Sequence, residues 1–336
     1  MKIIANVICL DSAPEIPAML ESLKGNVDAL VAVDGGSVDE TVAIIEKWGA
    51  ETGIQTTVLK RKWEDDFGLQ RNNALWWTRA AMCGEDGDVW ILMIDTDDVL
   101  TAFDRPLLEK GASELGKDGK PVNGIMCRMD NGNGFFHFCQ FFRLLPDSVW
   151  NAPIHEHISV AGHIGMPPAG SLAIKRGRAA RHDRDQLRNV RIGRRYVEAE
   201  PENSRARFYL ARDVLECPAV PLRQRTAEAE GHLRKYLTME TNYITQDRYA
   251  LLLLARIMCD DGRIEEAREI LVKWLDKDPD NRSAYEALSR ITPPKEAGVW
   301  NRLAASACGT CVLPYASKLP KAVHGCVAQN DPLVSK

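Results

Sequence analysis

The run Val89-Trp90-Ile91-Leu92-Met93-Ile94 passes without a break into Asp95-Thr96-Asp97-Asp98, and this junction restricts what the chain can fold into. Six apolar residues rich in β-formers predict a strand buried on both faces. Three carboxylates within the next four positions cannot be buried unpaired without a large desolvation cost. The strand must therefore end at the C-terminal edge of a sheet, where open α/β folds bind ligands. Side chains alternate along an extended backbone, so Asp95 and Asp97 point the same way across Thr96. Two hard oxygen donors one residue apart suit Mg²⁺ or Mn²⁺, and such an ion could bridge a diphosphate. The plainer alternative is a solvated acidic turn after a core strand.

A length of 336 residues allows two domains. The composition, 45% hydrophobic and 27% charged, is that of an ordinary globular chain, and a formal net charge of -4 supplies no general attraction to nucleic acid or membrane. The apolar stretch Lys2 to Leu10 meets Asp11 well before the ~20 residues of a membrane span and lacks a small-residue cleavage pattern, so it reads as a first strand. The nine cysteines are odd in number and scattered. Cys9, Cys127, Cys139 and Cys259 sit in apolar runs, as expected of buried reduced thiols in a cytoplasmic protein.

Along the chain, a strand from Lys2 to Cys9 leads to Ser12, a candidate cap for a helix through Leu23. A second strand, Asp28 to Val33, ends in Asp34-Gly35-Gly36-Ser37-Val38-Asp39-Glu40-Thr41, which opens a helix from Val42 to Trp48. Strand, glycine turn and helix N-terminus together form a candidate nucleotide site, because glycine lets the backbone approach a ligand and helix N–H groups favour anions. A third strand fits Gln55 to Leu59. The alternation argues for a mostly parallel sheet with right-handed crossovers. The polar stretch from Trp63 becomes helical into Ala81, with Arg71 near the helix start as a possible phosphate partner or a plain ion-pairing residue. Val122 to Met129 and Phe135 to Leu144 are strands joined by the loop Asp130-Asn131-Gly132-Asn133-Gly134.

A second concentration of titratable groups is His155-Glu156-His157, after Trp150-Asn151-Ala152-Pro153. It could supply a general base and a ligand. In an extended segment both histidines would face one side and Glu156 the other, so convergence requires a turn. Lys175, Arg176, Arg178, Arg181, Arg184, Arg188 and Arg191 could neutralise phosphates or form a solvated face around His182. From Gln186 the pattern is helical to about Leu288. Pro201-Glu202-Asn203-Ser204-Arg205-Ala206 returns as Pro279-Asp280-Asn281-Arg282-Ser283-Ala284, which marks a repeat of tetratricopeptide type. Such helix pairs offer a groove to a protein partner or pack only on their neighbours. The tail from Pro293 reads as irregular, and Cys308 and Cys311, spaced as in a metal site, lack an obvious second pair.

In this order the motifs resemble the family 2 glycosyltransferases of the A-type fold, in particular members with C-terminal tetratricopeptide-like helices. The resemblance rests on Asp34-Gly35-Gly36-Ser37-Val38-Asp39-Glu40-Thr41, Phe67 with Arg71-Asn72, Asp95-Thr96-Asp97-Asp98, Ile154-His155-Glu156 and His182, and covers roughly residues 1–290. It implies a Rossmann-like α/β domain over 1–184, a helical repeat domain over 185–292 and a tail over 293–336. It further implies a metal-dependent, inverting transfer of sugar from a nucleotide-diphosphate donor, with a uridine nucleotide expected. By the same resemblance Asp34 contacts the nucleobase, Asp39 the ribose side and Arg71 the nucleotide or its phosphates. Asp95 and Asp97 hold Mn²⁺ or Mg²⁺ at the diphosphate, with His182 completing the shell. Glu156 is the candidate general base, and Asp98 the runner-up. Gly35 stands where many relatives carry a second acidic residue, which leaves the identity of the base open. The acceptor is a glycan, a protein side chain or a modified nucleobase. The competing readings are a non-catalytic scaffold that works through its helical repeat, and a nucleotidyltransferase, which would release pyrophosphate.

Overall fold

A computed structural model describes residues 1–83, 88–177, 185–241 and 243–307. They divide into two compact units, Met1–Arg188 and the chain from Asn189 onward.

The first unit begins β1 (Lys2–Cys9), α1 (Ile16–Leu23), β2 (Ala29–Asp34), α2 (Thr41–Thr52), β3 (Gln55–Lys60), α3 (Phe67–Ala81) and β4 (Val89–Met93). These four strands lie parallel in the order β3-β2-β1-β4. After β5 (Val99–Phe103) and α4 (Arg105–Ser113), the hairpin β6 (Val122–Asp130) and β7 (Phe135–Arg143) joins the sheet, with β7 antiparallel to β4. The short pair β8 (Val149–Asn151) and β9 (His157–Ser159) stands apart, while β10 (His163–Gly165) and β11 (Leu172–Lys175) each run parallel to β6. Among the described residues the main sheet has nine strands and is mostly parallel.

Central strands are apolar on both sides because both faces are covered. Ile3, Ala5, Val7 and Leu92 meet α1 and α2 through Ile16, Met19, Leu20, Ile45 and Trp48. Ile4, Ile8, Ile91 and Met93 meet Ala74 and Leu75 of α3, together with Trp150 and Ile158. Fully burying each such side chain contributes ~1.5–3 kcal/mol. Ser12 does not cap α1 as expected. Its hydroxyl donates to Leu10 O and its N–H to Thr41 Oγ1, so it fastens the β1 loop to the start of α2, and the N-cap residue Glu15 makes no side-chain cap.

The second unit is helical throughout its described residues: 188–199, 204–216, 222–236, 244–260, 264–275, 282–291 and 294–306. The repeated Pro-x-Asn motif has one physical role at both sites. Asn203 Oδ1 accepts from Ala206 N at 2.9 Å and Asn281 Oδ1 from Ala284 N at 3.0 Å, each capping a helix. Phe208, Tyr236, Tyr249, Leu254, Met258 and Leu288 fill the core. The sequence expectation of an irregular tail from Pro293 is corrected by the helix Pro294–Ser306. Proline in the first turn needs no N–H partner, so Pro293-Pro294 starts a helix here instead of breaking one. Cys308 and Cys311 lie outside the described residues, and no described helix is long and apolar enough to cross a membrane.

Candidate active site

Arg71 is delivered by the first turns of α3, which are tied to the Trp150–Glu156 segment. Asp66 caps the helix by accepting from Leu69 N at 2.7 Å. Asn72 then accepts from Trp150 N at 2.9 Å and donates to Trp150 O at 2.8 Å, while Phe67 N donates to Pro153 O at 2.8 Å. Gly68 is required by this contact, since a Cβ there would lie 2.4 Å from Ala152 O. Ala152 and His155 have φ of 72° and 53°, a left-handed backbone that side-chain-bearing residues seldom adopt. The segment is therefore not extended. Its turned backbone brings Glu156 onto Arg71 and leaves His155 buried.

The guanidinium of Arg71 joins two acids distant in sequence: Nε donates to Glu156 Oε1 at 2.8 Å and Nη2 to Asp95 Oδ1 at 2.9 Å. Its Cζ also lies 5.2 Å from the centre of the Trp150 ring. Burial lowers the basicity of Arg71, but Asp95 and Glu156 more than reverse this and hold it charged. Its third nitrogen, Nη1, is buried and has no hydrogen-bond partner among the described residues. Arg176, just after β11, completes the cluster, with Nη2 3.5 Å from Asp95 Oδ2 and Nε 3.6 Å from Asp98 Oδ1. Gly177 N donates to Asp98 Oδ1 at 3.3 Å. A Cβ at Gly177 would lie 1.9 Å from Asp97 O, so only glycine lets this strand end pass so close to the acidic turn.

Asp98 is fully buried. Burial pushes its carboxyl up to about 7; Asp95 adds to the shift, Arg176 opposes it and Asp97 adds to it. Among the described residues, the four carboxylates of Asp95, Asp97, Asp98 and Glu156 thus meet the two guanidiniums of Arg71 and Arg176. Asp98 Oδ2 is moreover a buried oxygen with no hydrogen-bond partner among the described residues. Hard carboxylate oxygens of this kind are the donors that suit a divalent cation. Among the described residues no three His, Cys, Asp or Glu side chains gather into a ready metal shell, and His182 lies outside those residues.

At the ends of β1 and β2 lies a small open cleft of about 70 Å³ lined by Cys9, Leu10, Val33, Gly35, Trp63 and Phe67. Asp34 shapes its rim from within: it is buried, and its carboxylate accepts from Gly36 N at 3.2 Å, Ser37 N at 3.1 Å and Ser37 Oγ at 2.5 Å. Asp39 is exposed and accepts from Ala13 N and Thr41 N, both at 3.0 Å, so it latches the α1 loop to α2. Burial alone would raise its carboxyl, but the Thr41 hydroxyl and these N–H groups hold it below the usual carboxylate range.

The structure thus gathers Arg71, Asp95, Asp98 and Glu156, keeps Asp97 on the same turn, and places Asp34 and Asp39 in the neighbouring turn with their oxygens bonded internally. In sequence, Arg176 was one basic residue among seven. The readable sign was the glycine after it, and only the fold shows what that glycine passes.

Residues 6–137 match the family described as Glycosyl transferase family 2, and residues 223–291 match Tetratricopeptide repeat. The chain therefore carries an N-terminal family 2 glycosyltransferase domain followed by a tetratricopeptide repeat. The first match contains Asp34, Asp39, Arg71, Asp95, Asp97 and Asp98, while Glu156 and Arg176 lie beyond it. A TPR repeat-containing protein of Synechococcus elongatus is 38% identical over 155 residues, 45% of this chain and 34% of that protein. An uncharacterized glycosyltransferase of Rickettsia felis is 35% identical over 100 residues, 30% of each chain. The chain spans about a third of the length of the curated relatives it matches. The solved mannosyltransferase PcManGT of Pyrobaculum calidifontis, in complex with GDP-Man and Mn²⁺, aligns over 90% of this chain and 84% of its own at 13% identity and a TM-score of 0.44.

Proposed function

We propose that this chain is a metal-dependent, inverting glycosyltransferase that takes a sugar from a nucleotide-diphosphate donor, with a uridine nucleotide as first candidate. The observation that carries the reading is the bridge by which Arg71 holds Asp95 and Glu156 together at the sheet edge. A purely structural sheet domain gains little from it, since a buried ion pair is a poor source of stability.

In this reading the apolar cleft beside Gly35, Trp63 and Phe67 takes the nucleobase, and the internally bonded Asp34 and Asp39 keep its rim in shape. Asp34 contacts the base, and Asp39 lies on the ribose side. The guanidiniums of Arg71 and Arg176 serve the diphosphate. Asp95 and Asp97 hold Mn²⁺ or Mg²⁺, with His182 as third ligand. An ion held there would supply charge stabilisation for the departing diphosphate. Glu156 accepts the proton of the acceptor hydroxyl, whose oxygen bonds to the anomeric carbon. The bond from that carbon to the diphosphate oxygen breaks on the opposite face, and its electron pair leaves with the nucleotide. Glu156 retains 13% side-chain exposure and Asp98 none, so an acceptor can reach Glu156 and not Asp98. The acceptor class stays a glycan, a protein side chain or a modified nucleobase.

The test is nucleoside-diphosphate release from a panel of nucleotide sugars, with Mn²⁺ or chelator, for wild type and Asp97→Asn. Metal-dependent release from one donor, lost in the variant, is expected. An equally active Asp97→Asn protein would sink the metal assignment. Silence across the panel together with no metal-dependent nucleotide binding would turn the reading toward a scaffold.

A further inference from the structure

The β6–β7 hairpin carries a cationic and aromatic patch that the reading above does not use. Because β7 is antiparallel to β4, with Leu92 opposite Phe141, its earlier residues run on past the end of β4 toward the acidic turn. Each residue adds roughly 3.3 Å, so Phe135 to His137 extend beyond the level of the strand end. The tip end of the hairpin is also tied to the site, because Arg176 N donates to Asp130 O at 2.7 Å.

The face is fixed by alternation. Cys139 and Met126 pack with Ala74, Leu75, Trp150 and Ile158, the side of the sheet that carries α3 and the Glu156 segment. Two residues further toward the hairpin tip on each strand stand His137 and Arg128, which are register partners, and Phe135 follows on the same face. The Arg128 guanidinium lies 4.4 Å from the centre of the exposed Phe135 ring, and His137 meets that ring edge-on at 5.7 Å. Arg128 is exposed, and among the described residues no carboxylate lies within ion-pair distance of it. Asp130, on the same face, turns its carboxylate into the loop to accept from Gly132 N at 2.9 Å. Burial and the Arg128 charge both lower the basicity of His137, so at neutral pH it is an uncharged hydrogen-bonding group beside a cation.

We propose that Arg128, Phe135 and His137 form the acceptor wall of the active site and select an acceptor that presents a sugar ring bearing an anionic group. The inference rests on the glycosyltransferase reading. The Phe135 ring supplies a stacking surface, Arg128 the counter-charge for phosphate or carboxylate, and His137 a hydrogen bond.

The test is calorimetric binding of glucose 6-phosphate, glucuronate and methyl glucoside, in the presence of UDP and Mn²⁺. The proteins are wild type, Arg128→Ala, Phe135→Ala and the control Lys47→Ala on α2, with melting curves to verify folding. At least one anionic sugar is expected to bind wild type about tenfold or more tightly than methyl glucoside. Arg128→Ala should remove that advantage, and Phe135→Ala should weaken every sugar. Phosphate and carboxylate sources are told apart by which anion binds. Wild type and Arg128→Ala binding the anionic sugars equally would overturn the proposal, as would wild type binding none of the three. Donor hydrolysis by the same wild-type sample separates the two levels. Turnover of a nucleotide sugar without binding of any probe overturns the acceptor wall alone, whereas loss of both hydrolysis and UDP–Mn²⁺ binding overturns the reading beneath it.

Discussion

Glu156 is held by the guanidinium of Arg71, which reaches 85 residues along the chain to it and 24 residues to Asp95. Glutamine at 156 keeps an oxygen for Arg71 Nε and nearly the same volume, so the Glu156→Gln protein should fold and bind UDP and Mn²⁺ as wild type does. What it loses is the ability to accept a proton. General-base catalysis contributes typically 10²–10⁴-fold, and transfer should fall by about that factor while donor affinity holds. Transfer rates measured beside calorimetric donor binding check this, and normal transfer would remove Glu156 as the base. Asp95, Arg71 and Glu156 could be nominated from residue type and the order of motifs. Their mutual contact could not, because sequence spacing carries no information on which side chains meet across a sheet edge. Arg176 shows the limit most plainly: Gly177 beside it is a local sign, but that glycine also precedes Arg178, and only the fold shows which arginine reaches the acids.

At the scale of elements, hydrophobic pattern was sufficient for β1 to β4 and the β6–β7 hairpin, whose runs are long and apolar or bounded by glycine. It was insufficient for the Ala152–Glu156 turn, where two non-glycine residues hold a left-handed backbone only because α3 straps the segment down. Gly68→Ala tests that strap. Alanine would gain ~1 kcal/mol in helix propensity, but its Cβ meets the Ala152 carbonyl oxygen at 2.4 Å, and overpacking against backbone costs ~1–3 kcal/mol. The clash should win, lowering the melting temperature and nucleoside-diphosphate release together; an unchanged protein would show the loop to be independent of α3. A second element contact titrates. Asp28 Oδ2 accepts from Ile3 N at 2.7 Å and Arg105 Nη2 at 2.9 Å, pinning the start of β1 to α4. Burial raises this carboxyl, but Arg105 and the Ile3 N–H outweigh burial and leave it below the usual carboxylate range. A depressed folded-state pKa stabilises above the unfolded value near 3.8 and is lost as pH falls through the folded value. Asp28→Asn should therefore melt below wild type at pH 7, and the gap should close as both are taken below about pH 4.

For the whole molecule, the decisive feature is that the cores are made of separate residues. The sheet clusters end with Ile174, and the large helical cluster starts at Phe208. The repeated Pro-x-Asn motif announced the second core in sequence, since two identical caps imply two similar helices stacked by the same faces. The helix Pro294–Ser306 escaped notice because its leading prolines resemble a stop. Phe208 is fully buried against Tyr236 and Tyr249, with ring centres 5.6 and 5.7 Å away. Truncating a buried Phe costs ~3–5 kcal/mol, from lost transfer energy and the cavity left among partly rigid neighbours. Phe208→Ala should lower the melting temperature of the helical circular dichroism signal. Below that transition, UDP–Mn²⁺ binding should keep its wild-type affinity, because no residue of the nucleotide cleft or the Arg71 cluster belongs to the damaged core. Loss of nucleotide binding in a protein whose helical signal is still intact would mean that the repeat takes part in shaping the donor site.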